Sequence, residues 1–291
     1  MVGPRLAELH VHLEGTVTSE TASELAGRHG LEPLPPYEYS DLSGFLSVYG
    51  RVSGAMRTAD DFERVILAHG RVMAGQGIAY AEISFNPSLH PGDAWLDGVT
   101  RGRREVKAEL GIEIAWLVEM VRGGRSEVNE QSLEVALATD GVVGLGLVGD
   151  EALPGALLSP LIERARAAGL KFMPHAGQTG GPEVVREAVE QLGATRIAHG
   201  VAALRDPAVL RLLADRNICL CVCPSSNARI GLRPDYRRLA QAGIPLSVNT
   251  DDPAMVPTTL TRELEVAETE HGLSREAVIT AAWDHRFVGK P

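Results

Sequence analysis

The sequence predicts a (β/α)8 barrel, and three observations carry that prediction. Short β-like runs alternate with longer helical patterns along the 291 residues, with no long linker between them. The β-like runs number eight, as a closed barrel of parallel strands requires. The least ordinary polar residues sit at or just past the C-terminal ends of these runs, where a barrel builds its active face.

In chain order the strand candidates are Leu6–His12, Ala79–Phe85, Ile112–Val118, Val142–Val148, Lys171–His175, Arg196–His199, Ile218–Val222 and Pro245–Asn249. A first helix is expected over Ser19–His29. Helical patterns then cover Ala59–Gly75, Ser126–Ala138, Leu157–Ala168, Pro182–Leu192 and Pro207–Arg216. Beyond the eighth strand, Leu260–His271 and Arg275–Arg286 also read as helices. Gly77, Gly111, Gly141, Gly169 and Gly243 precede strands and fit helix C-caps. Ser126, Pro182, Pro207 and Ser274 fit helix starts. Gly30–Tyr49, with Pro33, Pro35 and Pro36, is the least regular stretch. It reads equally as a surface connection and as a cover over the barrel mouth. A doubly wound open sheet is the competing architecture, but no strand is followed by a glycine-rich phosphate fingerprint. Repeats, low-complexity tracts and an internal domain boundary are missing, so one domain over residues 1–291 is expected.

Composition excludes several classes. Hydrophobic residues make up 44% of the chain and aromatics only 4%, which implies a packed, mostly aliphatic core. A net charge of -10 argues against binding a nucleic-acid backbone. No run of ~18 apolar residues is present, so a membrane span is not expected. Residues 1–5 lead straight into the first strand without a signal peptide, so a cytoplasmic location is expected. Cys219, Cys221 and Cys223 alternate along one strand, at steps of ~6.6 Å. That spacing suits neither one tetrahedral zinc nor a disulfide, so buried reduced thiols are expected.

The chemistry lies in the strand ends. His10 and His12 end the first strand on one face. Gly149 and Asp150 follow the fourth, His175 ends the fifth, His199 ends the sixth, and Asp251 and Asp252 follow the eighth. His10-Val11-His12 alone is a weak signal. Joined by His175 and Asp251 it becomes a three-histidine, one-carboxylate set, suited to zinc and able to leave a place for water. A cation there lowers the pKa of that water toward neutrality. His199 is then the base able to take or orient its proton.

The motifs His10-Val11-His12-Leu13-Glu14-Gly15, His175-Ala176-Gly177, Ala198-His199-Gly200, Cys223-Pro224-Ser225-Ser226-Asn227 and Asn249-Thr250-Asp251-Asp252-Pro253 resemble the adenosine/adenine deaminase family of the metal-dependent amidohydrolase superfamily. They occur in family order and span Leu9 to about Pro257, with weaker similarity through Thr258–Glu265 and Ala281–Phe287. The resemblance implies a metal-activated water that attacks the carbon bearing an exocyclic amine and releases ammonia. It assigns His10, His12, His175 and Asp251 to one Zn2+ per chain, or another divalent transition metal. It gives the water's proton to His199, and the purine ring to Asp252 and the Gly149 backbone. Glu14 holds the position that contacts a ribose hydroxyl in nucleoside-specific members, although base-specific members often carry Glu there too. No lysine near the fourth strand is available to bridge two metals. The implied partner is a small purine-like heterocycle, and oligomeric state is not legible.

Gln178 departs from that pattern. The family has a glutamate there, which protonates a ring nitrogen beside the attacked carbon. An amide can donate a hydrogen bond but cannot transfer a proton, and a general acid typically contributes ~10²–10⁴-fold. Four explanations stand open: an introduced Glu-to-Gln change, a substrate ring needing no proton there, another acid with Asp252 the nearest, or lost turnover. The alternatives to a purine deaminase are therefore different hydrolytic or lyase chemistry on the same fold, and a silent purine-binding protein. Glu183, five residues on, falls in the first turn of the next helix and is a poor substitute. Gly146 also departs, standing where many nucleoside deaminases carry aspartate, while Gly149-Asp150-Glu151 follows the nucleoside-type pattern.

Of the remaining candidates, His29, His69, His271 and His285 read as surface or packing residues. His90 lies near the barrel mouth, where a substrate contact is one reading. Glu82, inside the second strand, reads as a structural ion pair. Glu119, just past the third strand, is a candidate to face the pocket. Ser225, Ser226 and Asn227 read as a turn bonding its own backbone, or as substrate contacts.

Overall fold

The computed structural model describes residues 5–90 and 92–287. Its strands are β1 (Leu6–His12), β2 (Ile78–Phe85), β3 (Glu113–Val121), β4 (Val142–Val148), β5 (Lys171–Ala176), β6 (Arg196–His199), β7 (Cys219–Val222) and β8 (Leu246–Val248). They form one parallel sheet in the order β1 to β8. The chain past β8 returns to β1. Asp251 N donates to His10 O at 3.1 Å, and His12 N donates to Asp251 O at 2.9 Å. An expected metal ligand thus sits in the seam that brings the barrel's first and last strands together.

The helices are α1 (Ser19–Arg28), α2 (Leu42–Ala55), α3 (Ala59–Gly75), α4 (Ala94–Leu110), α5 (Ser126–Ala138), α6 (Ser159–Ala167), α7 (Pro182–Glu190), α8 (Pro207–Asp215), α9 (Pro224–Arg229), α10 (Tyr236–Gln241), α11 (Leu260–Thr269) and α12 (Arg275–Asp284). Their apolar faces and the outer faces of the strands make one large core, including Phe62, Ile66, Trp116, Phe172 and Ile197. A smaller core fills the barrel itself, with Ala7, Leu9, Tyr80, Ala115, Leu117, Met173 and Cys221. Ala282, Trp283 and Phe287 close its lower end. Such separation into a filled interior and an outer helical layer is the barrel's characteristic packing. None of the described helices is long and apolar enough to cross a membrane.

The five glycines expected to end helices all take positive φ; Gly111 at +67° caps α4. Ser274 caps α12 as expected, accepting from Ala277 N. Ser126 does not cap. It is the first residue of α5, after Arg125, and no side-chain bond closes that helix start. The helix expected from Leu157 begins at Ser159, after a 3-10 turn over Gly155–Leu158. The three cysteines are free and buried.

One difference from expectation is α2, whose first part, Leu42–Tyr49, occupies the end of the stretch read as irregular. Asp41 caps it, its side chain accepting from Gly44 N at 2.8 Å. Val52 and Ala55 are buried, and Phe45, Val48 and Tyr49 pack on the core. Gly44, Gly50 and Gly54 each cost about 1 kcal/mol relative to alanine in a helix, which hides the pattern locally. Burial of the apolar face supplies what propensity lacks.

Candidate active site

The C-terminal strand ends bring His10, His12, His175 and Asp251 together. His10 Nε2 lies 3.3 Å from His12 Nε2 and 3.2 Å from His175 Nε2. His12 Nε2 and His175 Nε2 are 3.3 Å apart. Asp251 Oδ1 lies 3.1 Å from His10 Nε2 and 3.2 Å from His12 Nε2. Imidazole nitrogens crowded in this way are arranged as ligands of a shared cation would be. A tetrahedron with metal–ligand bonds of ~2.0–2.1 Å has edges of ~3.3 Å, so the observed separations fit one such ion.

His199 borders this cluster, its Nε2 3.8 Å from Asp251 Oδ2. Ser226 Oγ donates to that same Oδ2 at 2.6 Å. Both His199 nitrogens are buried and without a hydrogen bond among the described residues. Burial lowers the His199 imidazole to about 3, with Asp251 pulling the other way. The ring is therefore neutral at physiological pH. Burial also works against charge on Asp251, but His10 and His199, with hydrogen bonds from His10 and His12, outweigh it and hold the carboxylate well below its usual range. His199 and Asp251 are two of the three described non-glycine residues at positive φ, at +64° and +67°. Such backbone strain costs on the order of 1–3 kcal/mol per residue and collects at functional sites.

Asp252 is buried beside Asp251, with Oδ1 unpartnered among the described residues. Burial and the adjacent Asp251 raise its pKa well above the usual carboxylate range. Gly15 makes its seat possible, since a Cβ there would lie 2.0 Å from Asp252 Oδ1. Gln178 is half-buried, and its Nε2 donates to Asn227 Oδ1 at 3.2 Å. Glu14 is wholly buried and has its acceptor atoms engaged. Oε1 takes Asn86 N at 3.1 Å and His90 Nε2 at 2.9 Å, and Oε2 takes Tyr49 OH at 3.0 Å. Gly149 sits exposed at the rim with φ +103°, against the backbone of Arg122. The structure gives it no hydrogen bond to the cluster among the described residues.

A model of the family described as adenosine deaminase matches residues 4–284. The chain belongs to the adenosine deaminase family. It is similar to the aminodeoxyfutalosine deaminase of Streptomyces coelicolor, 34% identical over 299 residues, which cover 95% of this chain and 77% of that relative. It is also similar to the adenine deaminase of Bordetella avium, 33% identical over 290 residues, covering 93% and 92% of the two chains. The crystal structure of an adenine deaminase from Arthrobacter aurescens superposes with a TM-score of 0.92 at 26% identity, over 99% of this chain and 95% of that one. A zinc-bound amidohydrolase from Burkholderia ambifaria shares the fold at a TM-score of 0.87 and 23% identity, over 98% and 86%. The protein is thus a hydrolytic deaminase of a metal-dependent family, with a histidine–aspartate cluster placed to hold the ion.

In this deaminase several expectations change. Glu119 lies inside β3 rather than past it, with Oε1 3.0 Å from His12 Nδ1. His90 is spent on Glu14 and packs edge-on against Phe62. Ser225, Ser226 and Asn227 form part of α9, not a self-bonded turn; Ser226 and Asn227 turn their side chains to Asp251 and Gln178. Glu82 pairs with Arg196 as expected, and Glu183 stands in the first turn of α7. Four contacts went unread in the sequence. Glu151 accepts backbone N–H bonds from Gly177, Gln178, Thr179 and Gly180, and so shapes the loop that carries Gln178. Asn227 also donates to Tyr236 OH at 2.8 Å. Cys223 places Sγ 3.5 Å from His10 Nδ1. Tyr49 reaches Glu14 from α2, so this stretch does stand over the mouth. Motifs flagged Glu151, Cys223 and Asn227 but not their partners, which are distant in sequence, and Tyr49 had no motif.

Proposed function

We propose that this protein hydrolyses the exocyclic amine of an adenine-type base, with His10, His12, His175 and Asp251 holding one zinc ion. The observation that carries the reading is the convergence of three imidazole nitrogens and a carboxylate oxygen at 3.1–3.3 Å. Zinc held there supplies Lewis acidity that brings the pKa of water toward neutrality.

The chain's own residues do the rest. His199, neutral and with neither ring nitrogen hydrogen-bonded among the described residues, takes the attacking water's proton. Ser226 fixes the Asp251 carboxylate, so that Oδ1 faces the histidines and Oδ2 faces His199. Asp252, with a buried free oxygen, faces the ring, as does the Gly149 backbone at the rim. Gln178 is held by Asn227 and Glu151 and bonds the ring without transferring a proton. Asp252 is then the residue best placed to supply the proton that Gln178 cannot. The three bonds on Glu14 favour a base over a nucleoside, because its buried carboxylate already holds Tyr49, His90 and the chain at Asn86 and keeps little acceptor capacity for a sugar hydroxyl. Catalytic silence is a second reading, favoured by Gln178 alone, and it predicts adenine binding without ammonia release.

The test compares ammonia release by the unchanged protein, Gln178→Glu and Asp252→Asn across adenine, adenosine and other aminopurines. Gln178→Glu is expected to gain ~10²-fold or more on adenine, the scale of one general acid. Asp252→Asn is expected to lower the unchanged protein's rate. If no form turns over any adenine compound, the deaminase assignment of this site fails.

A further inference from the structure

We propose that Glu119 is a positioning residue for metal binding, orienting His12 from behind, and that glycine stands at position 146 to make room for it. The inference rests on the metal reading above. His12 spans two partners. Its Nε2 belongs to the cluster, 3.2–3.3 Å from His175, His10 and Asp251 atoms, while its Nδ1 lies 3.0 Å from Glu119 Oε1, an ion-pair distance without the alignment of a hydrogen bond, and neither atom has another partner among the described residues. The two side chains are 7% and 3% exposed, so water cannot serve in the carboxylate's place.

A histidine that ligates a metal through one nitrogen carries its proton on the other, and that buried N–H requires an acceptor. A carboxylate at this place fixes the tautomer, holds the ring plane and makes the ligating nitrogen more basic. His10 is served differently: its Nδ1 faces only the Cys223 sulfur, a weak partner. Glu119 is therefore the one carboxylate seen behind a histidine of the cluster among the described residues.

Gly146 completes the case. It pairs in register with Glu119 across β3 and β4. Its φ is not positive, so the backbone does not call for glycine. A Cβ built there would lie 3.2 Å from Glu119 Cγ and 3.6 Å from Oε1. A Cβ at 146 presses on the Glu119 side chain at Cγ, and the same closeness means that an aspartate there could replace its carboxylate.

The experiment measures zinc affinity and stoichiometry of the purified full chain, without substrate, by competition with a chromogenic chelator. Glu119→Ala is expected to weaken zinc by ~10–100-fold, the usual effect of removing such a partner. Glu119→Gln, which keeps an acceptor, is expected to weaken it less. Gly146→Asp added to Glu119→Ala is expected to restore most of the loss, a rescue that general loosening of the fold does not produce. Thermal unfolding checks that each variant is folded; if Glu119→Ala is not, a drop in Glu119→Gln decides the matter. Unchanged zinc affinity in the folded variants overturns the proposal and leaves the four-ligand site standing. Two zinc ions in the unchanged protein, one of them lost in Glu119→Ala, would make Glu119 a ligand and also overturn it. If the unchanged protein binds no zinc, the metal reading itself has failed.

Discussion

The two ends of the barrel both bury charge, but they treat it in opposite ways. At the lower end, Arg196 and Glu82 form an ion pair with no exposed side-chain surface. Arg196 also donates to His285 O at 2.7 Å and lies 3.8 Å from the centre of the Phe287 ring. Glu82 Oε1 accepts from Tyr80 OH at 2.9 Å and Phe287 N at 2.6 Å. These bonds tie the C-terminal segment across the barrel floor. At the upper end, three imidazole nitrogens and a carboxylate oxygen crowd together, and among the described residues His199 and Asp252 keep buried atoms unpartnered. Two of the site's residues also carry backbone strain. A buried network that satisfies itself holds the fold, whereas one that satisfies only part of itself is set up for a ligand.

Substitutions at the upper end should cost activity and spare folding. The largest effect is expected at His199. His199→Ala should lower kcat/KM by ~10²–10⁴-fold, the worth of a general base, with little change in Tm. Steady-state kinetics beside thermal unfolding measures both, and full activity would remove His199 from the mechanism. At the lower end the pattern should reverse. Glu82→Ala leaves Arg196 charged and buried, and should cost ~3–5 kcal/mol of stability. Urea unfolding measures that loss, and the fraction still folded should keep its turnover. A large fall in turnover per folded molecule would break the division between the two ends.

The smallest effect sharpens the comparison from outside the barrel. His69 on α3 is buried, and burial lowers its pKa to about 4 from 6.5. The folded state refuses a proton that the unfolded state accepts. Its contribution to stability is therefore complete above pH 6.5 and is lost as pH falls toward 4. Between pH ~7 and ~5.5 the unchanged protein should lose about 1 kcal/mol more than His69→Leu. Equal pH slopes for the two would show that His69 takes up its proton without cost. This buried histidine differs from His199 in having no cluster around it, and the measurement would register acid sensitivity instead of chemistry.

Much of this protein was legible before its structure. The strands were placed to within a few residues, because a buried parallel strand announces itself as a short apolar run bounded by glycine or helix. The ligand set was legible because His10, His12, His175 and Asp251 sit at strand ends, where the fold itself brings side chains to one face. Gln178 was legible as a deficit because a single residue type decides whether a proton can be transferred. Helix α2 was not, since three glycines mask its apolar face and only packing on the core reveals it.

By itself, then, the sequence determined the barrel, the family and the residues that could hold a metal, since periodicity and local motifs carry those. The tertiary structure alone decided which groups serve them: Glu119 behind His12, Ser226 on Asp251, Glu151 under the Gln178 loop, Tyr49 over Glu14, and the Arg196 floor. Each of these joins residues from different elements. A hydrogen bond across a barrel depends on distance and burial in three dimensions, and neither leaves a period in the chain.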